Sequence, residues 1–94
     1  MGEKFTTFDP AAHLTDPAAA AAFINDALAS GDAGYIARAM GIVARARGMS
    51  RLSRETGLSR EQLYRSFSEQ GNPTLKTLLA VLRELGVEFV ARRR

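Results

Sequence analysis

Polar side chains that can donate or accept hydrogen bonds are concentrated between residues 59 and 68. They are Ser59, Arg60, Glu61, Tyr64, Arg65 and Ser68. Arginine can donate two hydrogen bonds to guanine or phosphate, glutamate can accept one from cytosine, and hydroxyl groups can bond phosphate oxygens. We therefore expect this segment to read double-stranded DNA. The alternative is a helical hairpin whose polar face only meets water.

Two short helices joined by a tight turn would present these side chains. The first is predicted over residues 50–56 and the second from residue 60 to residue 67 or 68. Gly57 can adopt the left-handed backbone that ends the first helix, and the sequence Ser-Arg-Glu-Gln at 59–62 has the form of a capping box. Leu63 and Phe67 lie one turn apart and can pin the second helix to a core. The pattern predicts a helix-turn-helix, in which the second helix enters the major groove.

Further helix signals lie on both sides of this unit. Aspartate or asparagine caps predict helices over 17–30, 33–47 and 73–85. The segment 10–14 can form one helical turn, and 87–91 is short, apolar and β-prone. The buried stripe of the last helix is predicted to contain Leu75, Leu78, Leu79, Leu82 and Leu85.

Composition and charge narrow the class of protein. The chain has 94 residues, no cysteine and one histidine, His13, which excludes thiolate and multi-histidine metal sites. The sequence shows no serine, histidine and carboxylate in the arrangement of a catalytic triad. We therefore expect neither enzymatic activity nor a bound cofactor. No apolar run reaches the ~20 residues of a membrane helix, and the start lacks the pattern of a secretion signal. We expect a cytoplasmic protein.

Charge is divided unevenly along the chain. Residues 1–34 hold one lysine and five acids, a net charge of −4, whereas residues 35–94 hold twelve basic residues and five acids, a net charge of +7. This division predicts two faces with different partners. The basic part is rich in arginine, which suits phosphate and guanine better than lysine does.

The helix-turn-helix region, from about Gly48 to Val87, resembles Xre/Cro-like domains. The whole chain resembles HigA-like addiction-module antidotes, and the most specific shared phrase is Gly71-Asn72-Pro73-Thr74. Ser53 and Ser66 depart from the usual pattern, which has alanine and an apolar residue at these positions. The resemblance implies an all-α, five-helix Xre/Cro-like domain at 17–86, with its motif at about 50–68. An N-terminal arm at 1–16 and a short C-terminal β-strand and basic tail at 87–94 complete the expected organisation.

The resemblance also implies function. HigA-like antitoxins bind their own operator DNA as dimers, repress their own operon and neutralise a RelE/HigB-like ribonuclease toxin. The DNA-facing positions of the family correspond to Ser59, Arg60, Glu61, Tyr64 and Arg65. A free-standing phage-type repressor and a helical interaction module without DNA binding are the alternatives.

Two further surfaces are predicted from apolar residues near the ends of the chain. A basic toxin would meet the acidic N-terminal third, with Phe5, Phe8 and Leu14 as apolar anchors. A homodimer would pair the C-terminal strands, and its interface would contain Val87, Phe89 and Val90. Such pairing is expected because a lone five-residue strand is not stable.

Overall fold

The computed structural model describes residues 12–94. A 3-10 turn at Ala12–Thr15 precedes five α-helices. We number these helices α1 (Pro17–Ser30), α2 (Ala33–Arg47), α3 (Met49–Thr56), α4 (Arg60–Ser66) and α5 (Leu75–Leu85). For residues 12–94, the expectation of an all-α structure with five helices is thereby confirmed. No helix in 12–94 is long and apolar enough to cross a membrane.

Side-chain caps determine where the helices begin. The carboxylate of Asp16 accepts a hydrogen bond from the Ala19 amide, 3.1 Å away, and that of Asp32 accepts one from the Tyr35 amide, 3.2 Å away. These bonds satisfy amide groups that have no partner within the first turn. As a result, α1 and α2 have the predicted limits.

The last helix begins two residues later than expected. Thr74, not Asn72, is its cap, and the Thr74 hydroxyl accepts a hydrogen bond from the Thr77 amide at 3.1 Å. Both Asn72 and Thr74 are residue types that favour this position. The structure selects Thr74, whose backbone is extended (φ −68°, ψ 160°) as a helix cap requires.

α2 is the central helix, because it contacts each of the other helices and the 3-10 turn. One continuous core joins its Met40 and Val43 to Ile24 of α1, Leu52 of α3 and Leu82 of α5. All five side chains are at most 2 % exposed. This packing fixes the helix-turn-helix to the rest of the molecule.

The leucine stripe predicted for α5 is only partly correct. Leu82 and Leu85 are buried, but Leu75 is 66 % and Leu79 49 % exposed. The buried face instead includes Thr77 and Val81. Thr77 tolerates burial because its hydroxyl is hydrogen-bonded to that of Thr74 at 3.1 Å, so the helix can turn this face towards its neighbours.

The expected C-terminal β-strand is absent from the described part of the chain. Residues 87–94 follow Gly86, whose left-handed backbone (φ 75°) ends α5, and the Val87 amide donates to the Leu82 carbonyl at 3.0 Å. No backbone hydrogen bond joins residues 88–94 to another described residue. A strand needs a ladder partner, and the single chain supplies none here.

Candidate nucleic-acid interface

The turn between α3 and α4 has the geometry that the sequence predicts. Gly57 adopts the left-handed conformation (φ 80°), and its amide donates to the Ser53 carbonyl at 2.9 Å. The Thr56 hydroxyl reinforces the turn by donating to the Leu52 carbonyl at 2.6 Å and accepting from the Leu58 amide at 3.2 Å. Sequence reasoning missed this role of Thr56, although a threonine just before a C-terminal glycine can signal it.

A serine cap starts the second helix of the pair. The Ser59 hydroxyl accepts a hydrogen bond from the Gln62 amide at 3.0 Å, which is the forward half of the predicted capping box. Leu58, just before the cap, is half-buried and packs against the core. The N-terminal turn of α4 is therefore held in place while its outer side stays open.

One face of α4 is buried and the opposite face is exposed. Leu63 and Phe67, at 0 % and 1 % exposed, attach the helix to the core. The exposed set is Ser59, Arg60, Glu61, Tyr64 and Arg65. The structure thus brings together five of the six residues that the sequence singles out.

Ser68 does not belong to this exposed face. α4 ends at Ser66, with Phe67 as its C-cap, so Ser68 lies in the following turn. Its side chain is half-buried, and its hydroxyl donates to the Arg65 carbonyl at 3.0 Å. The predicted helix end at residue 67 or 68 was one or two residues too late, because the chain turns immediately after Phe67 enters the core.

Two glycines let that turn pack closely. A Cβ atom at Gly41 of α2 would overlap the Phe67 carbonyl oxygen, and one at Gly71 would overlap the carbonyl oxygens of Arg65 and Ser66. At Gly41, which lies inside α2, only the absence of a side chain leaves room for the Phe67 carbonyl group. The position of α4 therefore depends on backbone contacts that only glycine permits.

An ion pair lies on the outer side of α3. Nε of Arg51 is 3.0 Å from Oε2 of Glu55, one turn along the helix. The hydrogen bond from Arg51 is the main reason that the pKa of Glu55 lies below its ordinary value, and the Glu84 side chain and the charge of Arg47 lower this pKa further. The Arg47 guanidinium also donates to the Glu84 carbonyl. These contacts connect the ends of α2, α3 and α5.

The residues predicted to contact protein partners have different surroundings. Leu14 is only 4 % exposed and packs in the core, so its side chain is not available as a surface anchor. Phe5 and Phe8 lie outside the described residues. Val87 packs against the core of its own chain, whereas Phe89 and Val90 are 39 % and 76 % exposed.

Comparisons with known proteins identify the family of the chain and do not test the role of this surface. The family described as "Probable addiction module antidote protein" matches residues 4–93. The chain belongs to this family. A relative from Haemophilus influenzae, described only as an uncharacterized protein, is 39 % identical over 89 residues, which are 95 % of this chain and 92 % of the relative. No solved structure matches the chain significantly.

Proposed function

We propose that this antidote-family chain is the antitoxin of a type II toxin–antitoxin module and represses its own operon by binding operator DNA. The observation that carries the DNA part is the exposed face of α4. There Arg60, Glu61, Tyr64 and Arg65 are exposed, whereas Leu63 of the same helix is buried. Membership of the antidote family supports the antitoxin part. We propose no catalytic role, and operator binding would make the protein cytoplasmic.

The chemistry of this face suits a DNA groove better than a protein surface. Arg60 and Glu61 lie in the first turn of α4, the part of a recognition helix that reaches base edges. Arginine would pair with guanine and glutamate with the amino group of cytosine. Tyr64 and the Ser59 hydroxyl would bond phosphates and set the orientation of the helix.

Exposed arginines around the motif would supply the sequence-independent attraction. Arg51 and Arg54 of α3, and Arg38 and Arg45 of α2, have exposed side chains. Each arginine that neutralises a phosphate releases counterions, so binding must weaken steeply as the salt concentration rises. A helical interaction module without DNA binding would show no such dependence on duplex DNA.

The proposed protein partner is a RelE/HigB-like ribonuclease toxin, which must be basic to hold RNA. The N-terminal third, with its net charge of −4, provides the complementary charge. Because Leu14 is a core residue, the proposed apolar anchors are now Phe5 and Phe8 alone. A free-standing phage-type repressor would have no such partner.

A direct test uses duplexes selected by the full chain from a randomised DNA pool. We expect selection of a defined sequence, with an affinity that falls steeply between about 50 and 200 mM salt. The control is a variant with Arg60→Ala and Arg65→Ala, which should lose the preference for the selected sequence. Failure of the unmodified chain to enrich any sequence would refute DNA recognition. A neutralisation assay with the toxin encoded beside the chain tests the antitoxin part separately.

A further inference from the structure

A groove lies between α1 and the C-terminal tail, residues 87–94. Its volume is about 960 Å³, and its apolar lining comes from Leu28 and Ala29 of α1 and from Phe89 and Val90 of the tail. Leu28 is 37 % and Phe89 39 % exposed, so apolar surface is open to water on both walls. Burial of such surface is favourable, and the groove can therefore hold an apolar segment of chain.

A line of exposed residues with small side chains leads along α1 from its first turn to this groove. Ala18, Ala22, Asn25 and Ala29 follow one another at steps of three or four residues, and all four are exposed. Residues at such steps lie on one side of a helix. A chain that follows this line therefore meets no bulky side chain of the line itself before it reaches the groove.

The tail and the N-terminal arm join the helices at the same end of α1. A Cβ atom at Gly86 would lie 3.4 Å from two ring carbons of Pro17, so the tail begins beside the first turn of α1. The Asp16 amide donates to the His13 carbonyl at 3.0 Å, so the 3-10 turn also lies close to that end. Residues 1–11, which lie outside the described part of the chain, connect to this turn.

We propose that residues 1–11 bind back along α1, with Phe8 over Ala22 and Phe5 in the groove over Ala29. In an extended chain with three residues per turn, residues 5 and 8 lie on one side and about 9 Å apart. Ala22 and Ala29 lie seven residues apart, which is about 10 Å along a helix. The spacing of the two phenylalanines therefore matches the spacing of two exposed positions on one side of α1.

The arm is long enough to follow this path. Phe5 is eight residues from His13, and eight extended residues span about 26 Å. The distance along α1 from Asp16, beside His13, to Ala29 is about 20 Å. Pro10 favours the required extension, because the residue before a proline avoids the helical backbone.

Charge and tethering favour the arm over other occupants of the groove. Glu3 would lie beyond Phe5, towards Arg92–Arg94, which also line the groove. Lys4, one third of a turn further round, would face water. A basic toxin would be repelled by the three arginines. A tethered segment has an effective concentration of the order of millimolar, so it should outcompete the arm of a second copy at micromolar concentration.

The contact would regulate the proposed toxin binding, and only this consequence rests on the proposed function. Phe5 and Phe8 are the proposed apolar anchors for the toxin, and the bound arm covers them. The toxin must therefore displace the arm from α1, which reduces the fraction of chains that can bind it at any moment.

The first experiment uses the full chain without toxin or DNA. A spin label on Gly2→Cys, in a chain with no other cysteine, broadens the NMR signals of residues near it. We expect broadening of the amide signals of residues 29–31 and 91–94 but not of residues 18–20, because residue 2 would lie beyond the groove. Absent broadening, or broadening that is strongest at residues 18–20, would overturn the proposal.

Two double variants of the spin-labelled chain test the side chains that hold the arm. Phe5→Ser with Phe8→Ser should abolish the broadening at residues 29–31 and 91–94, because the apolar contacts are lost. Thr6→Ser with Thr7→Ser, the matched control between them, should leave it unchanged. Broadening that survives the loss of both phenylalanines would contradict the proposed contact.

A mixture distinguishes the chain's own arm from that of a second copy. Spin-labelled chain without ¹⁵N is mixed with ¹⁵N-labelled chain that carries no spin label. We expect no broadening in this mixture, because the proposed contact is intramolecular. Broadening of residues 29–31 of the ¹⁵N-labelled chain would show that a second copy supplies the arm and would overturn the proposal.

The second experiment measures the rate of association with the toxin encoded beside the chain. Leu28→Ser with Phe89→Ser removes the apolar walls of the groove and leaves Phe5 and Phe8 intact, so association should become about threefold faster or more. Leu79→Ser, at an exposed leucine of α5, is the control and should leave the rate unchanged. An unchanged rate in the groove variant would refute the regulatory consequence. A toxin that binds none of these chains would refute the proposed function instead, and the first experiment, which contains no toxin, would still test the contact of the arm.

Discussion

At the scale of single residues, the proposed base recognition should depend most on Arg60. It is the first residue of α4, directly after the Ser59 cap, and its side chain is exposed. The cap bond from the Gln62 amide fixes the backbone at this point, so the direction in which the Arg60 side chain leaves the helix is defined. The planar guanidinium can form a paired contact with guanine.

Replacing Arg60 with alanine should therefore weaken specific binding much more than non-specific binding. We expect Arg60→Ala to cost about 1–3 kcal/mol on a selected duplex and little on a random duplex of equal length. Fluorescence anisotropy titrations on both duplexes measure the difference. Arg38→Ala, an exposed arginine of α2, is the matched control for loss of positive charge. Equal losses on both duplexes would identify Arg60 as a phosphate contact, and no loss would remove it from the interface.

The ion pair of Arg51 with Glu55 makes a pH-dependent contribution to stability. The pKa of Glu55 is lowered in the folded chain, chiefly by its hydrogen bond from Arg51, relative to an ordinary value of 4.5. Its contribution is therefore complete above pH ~4.5 and is lost as the pH falls through the lower folded-state pKa. The group is solvent-exposed, so we expect a small effect. Urea unfolding at pH 7 and pH 3 should show a smaller loss of stability in Glu55→Gln than in the unmodified chain. Glu61→Gln serves as the control for removing a surface carboxylate, and an unchanged pH dependence in Glu55→Gln would contradict the assignment.

At the scale of helices, the orientation of α4 depends on how closely its C-terminal turn approaches α2. The carbonyl oxygen of Phe67 occupies the space that a side chain at position 41 would need. Backbone atoms cannot move aside as the end of a flexible side chain can, so a larger residue must displace the turn and α4 with it. Glycine occupies this position although it costs about 1 kcal/mol relative to alanine inside a helix.

Gly41→Ala should consequently destabilise the fold although alanine favours helix. We expect a net loss of about 1–3 kcal/mol, typical of overpacking, measured by urea unfolding. Gly34→Ala in the same helix is the matched control, since its nearest neighbour would be the Glu69 carbonyl oxygen at 3.0 Å, which requires only a small shift. Equal effects of the two substitutions, or a stabilised Gly41→Ala variant, would show that the turn can move freely.

The sequence predicted the start of a helix correctly where only one residue can serve as its N-cap. Asp16, Asp32 and Ser59 each offer a single cap, and α1, α2 and α4 begin directly after them. The start of α5 was not predictable in this way, because Asn72 and Thr74 compete for the same position. Its buried face was also missed, since the neighbours that cover Val81 but leave Leu75 exposed come from distant parts of the sequence.

The prediction of a C-terminal strand was wrong for a different physical reason. The sequence 87–91 has the composition of a strand, but pairing requires a second edge that composition cannot supply. The exposed face of α4 was predictable because a helix that buries Leu63 and Phe67 turns Glu61 and Arg65 to its other side. Ser68 does not lie on that face because the helix ends at Ser66, before it. The packing of Phe67 in the core, and not helix propensity, accounts for this end.

At the scale of the whole molecule, the proposed DNA surface and the proposed toxin surface belong to different parts of the chain. α4 packs on α3 and α2, whereas the 3-10 turn that continues the N-terminal arm packs on α1 and α2. The arm carries acidic residues and the remainder of the chain is basic. The two proposed activities should therefore be separable by changes in the arm.

Removing residues 2–11 should abolish toxin neutralisation and leave DNA binding intact. The deletion must stop there, because Leu14 is a core residue and a shorter chain would lose stability for a separate reason. Two full-length double variants separate the contribution of charge from that of apolar contact. Glu3→Lys with Asp9→Lys should mainly slow association with the toxin. Phe5→Ala with Phe8→Ala should mainly speed dissociation from it. Binding kinetics with the toxin, and anisotropy titrations with the selected duplex, measure the two activities. If the shortened chain still neutralises the toxin at equal concentration, the contact lies on the described helices, and the outer faces of α1 and α2 would be the next surfaces to test.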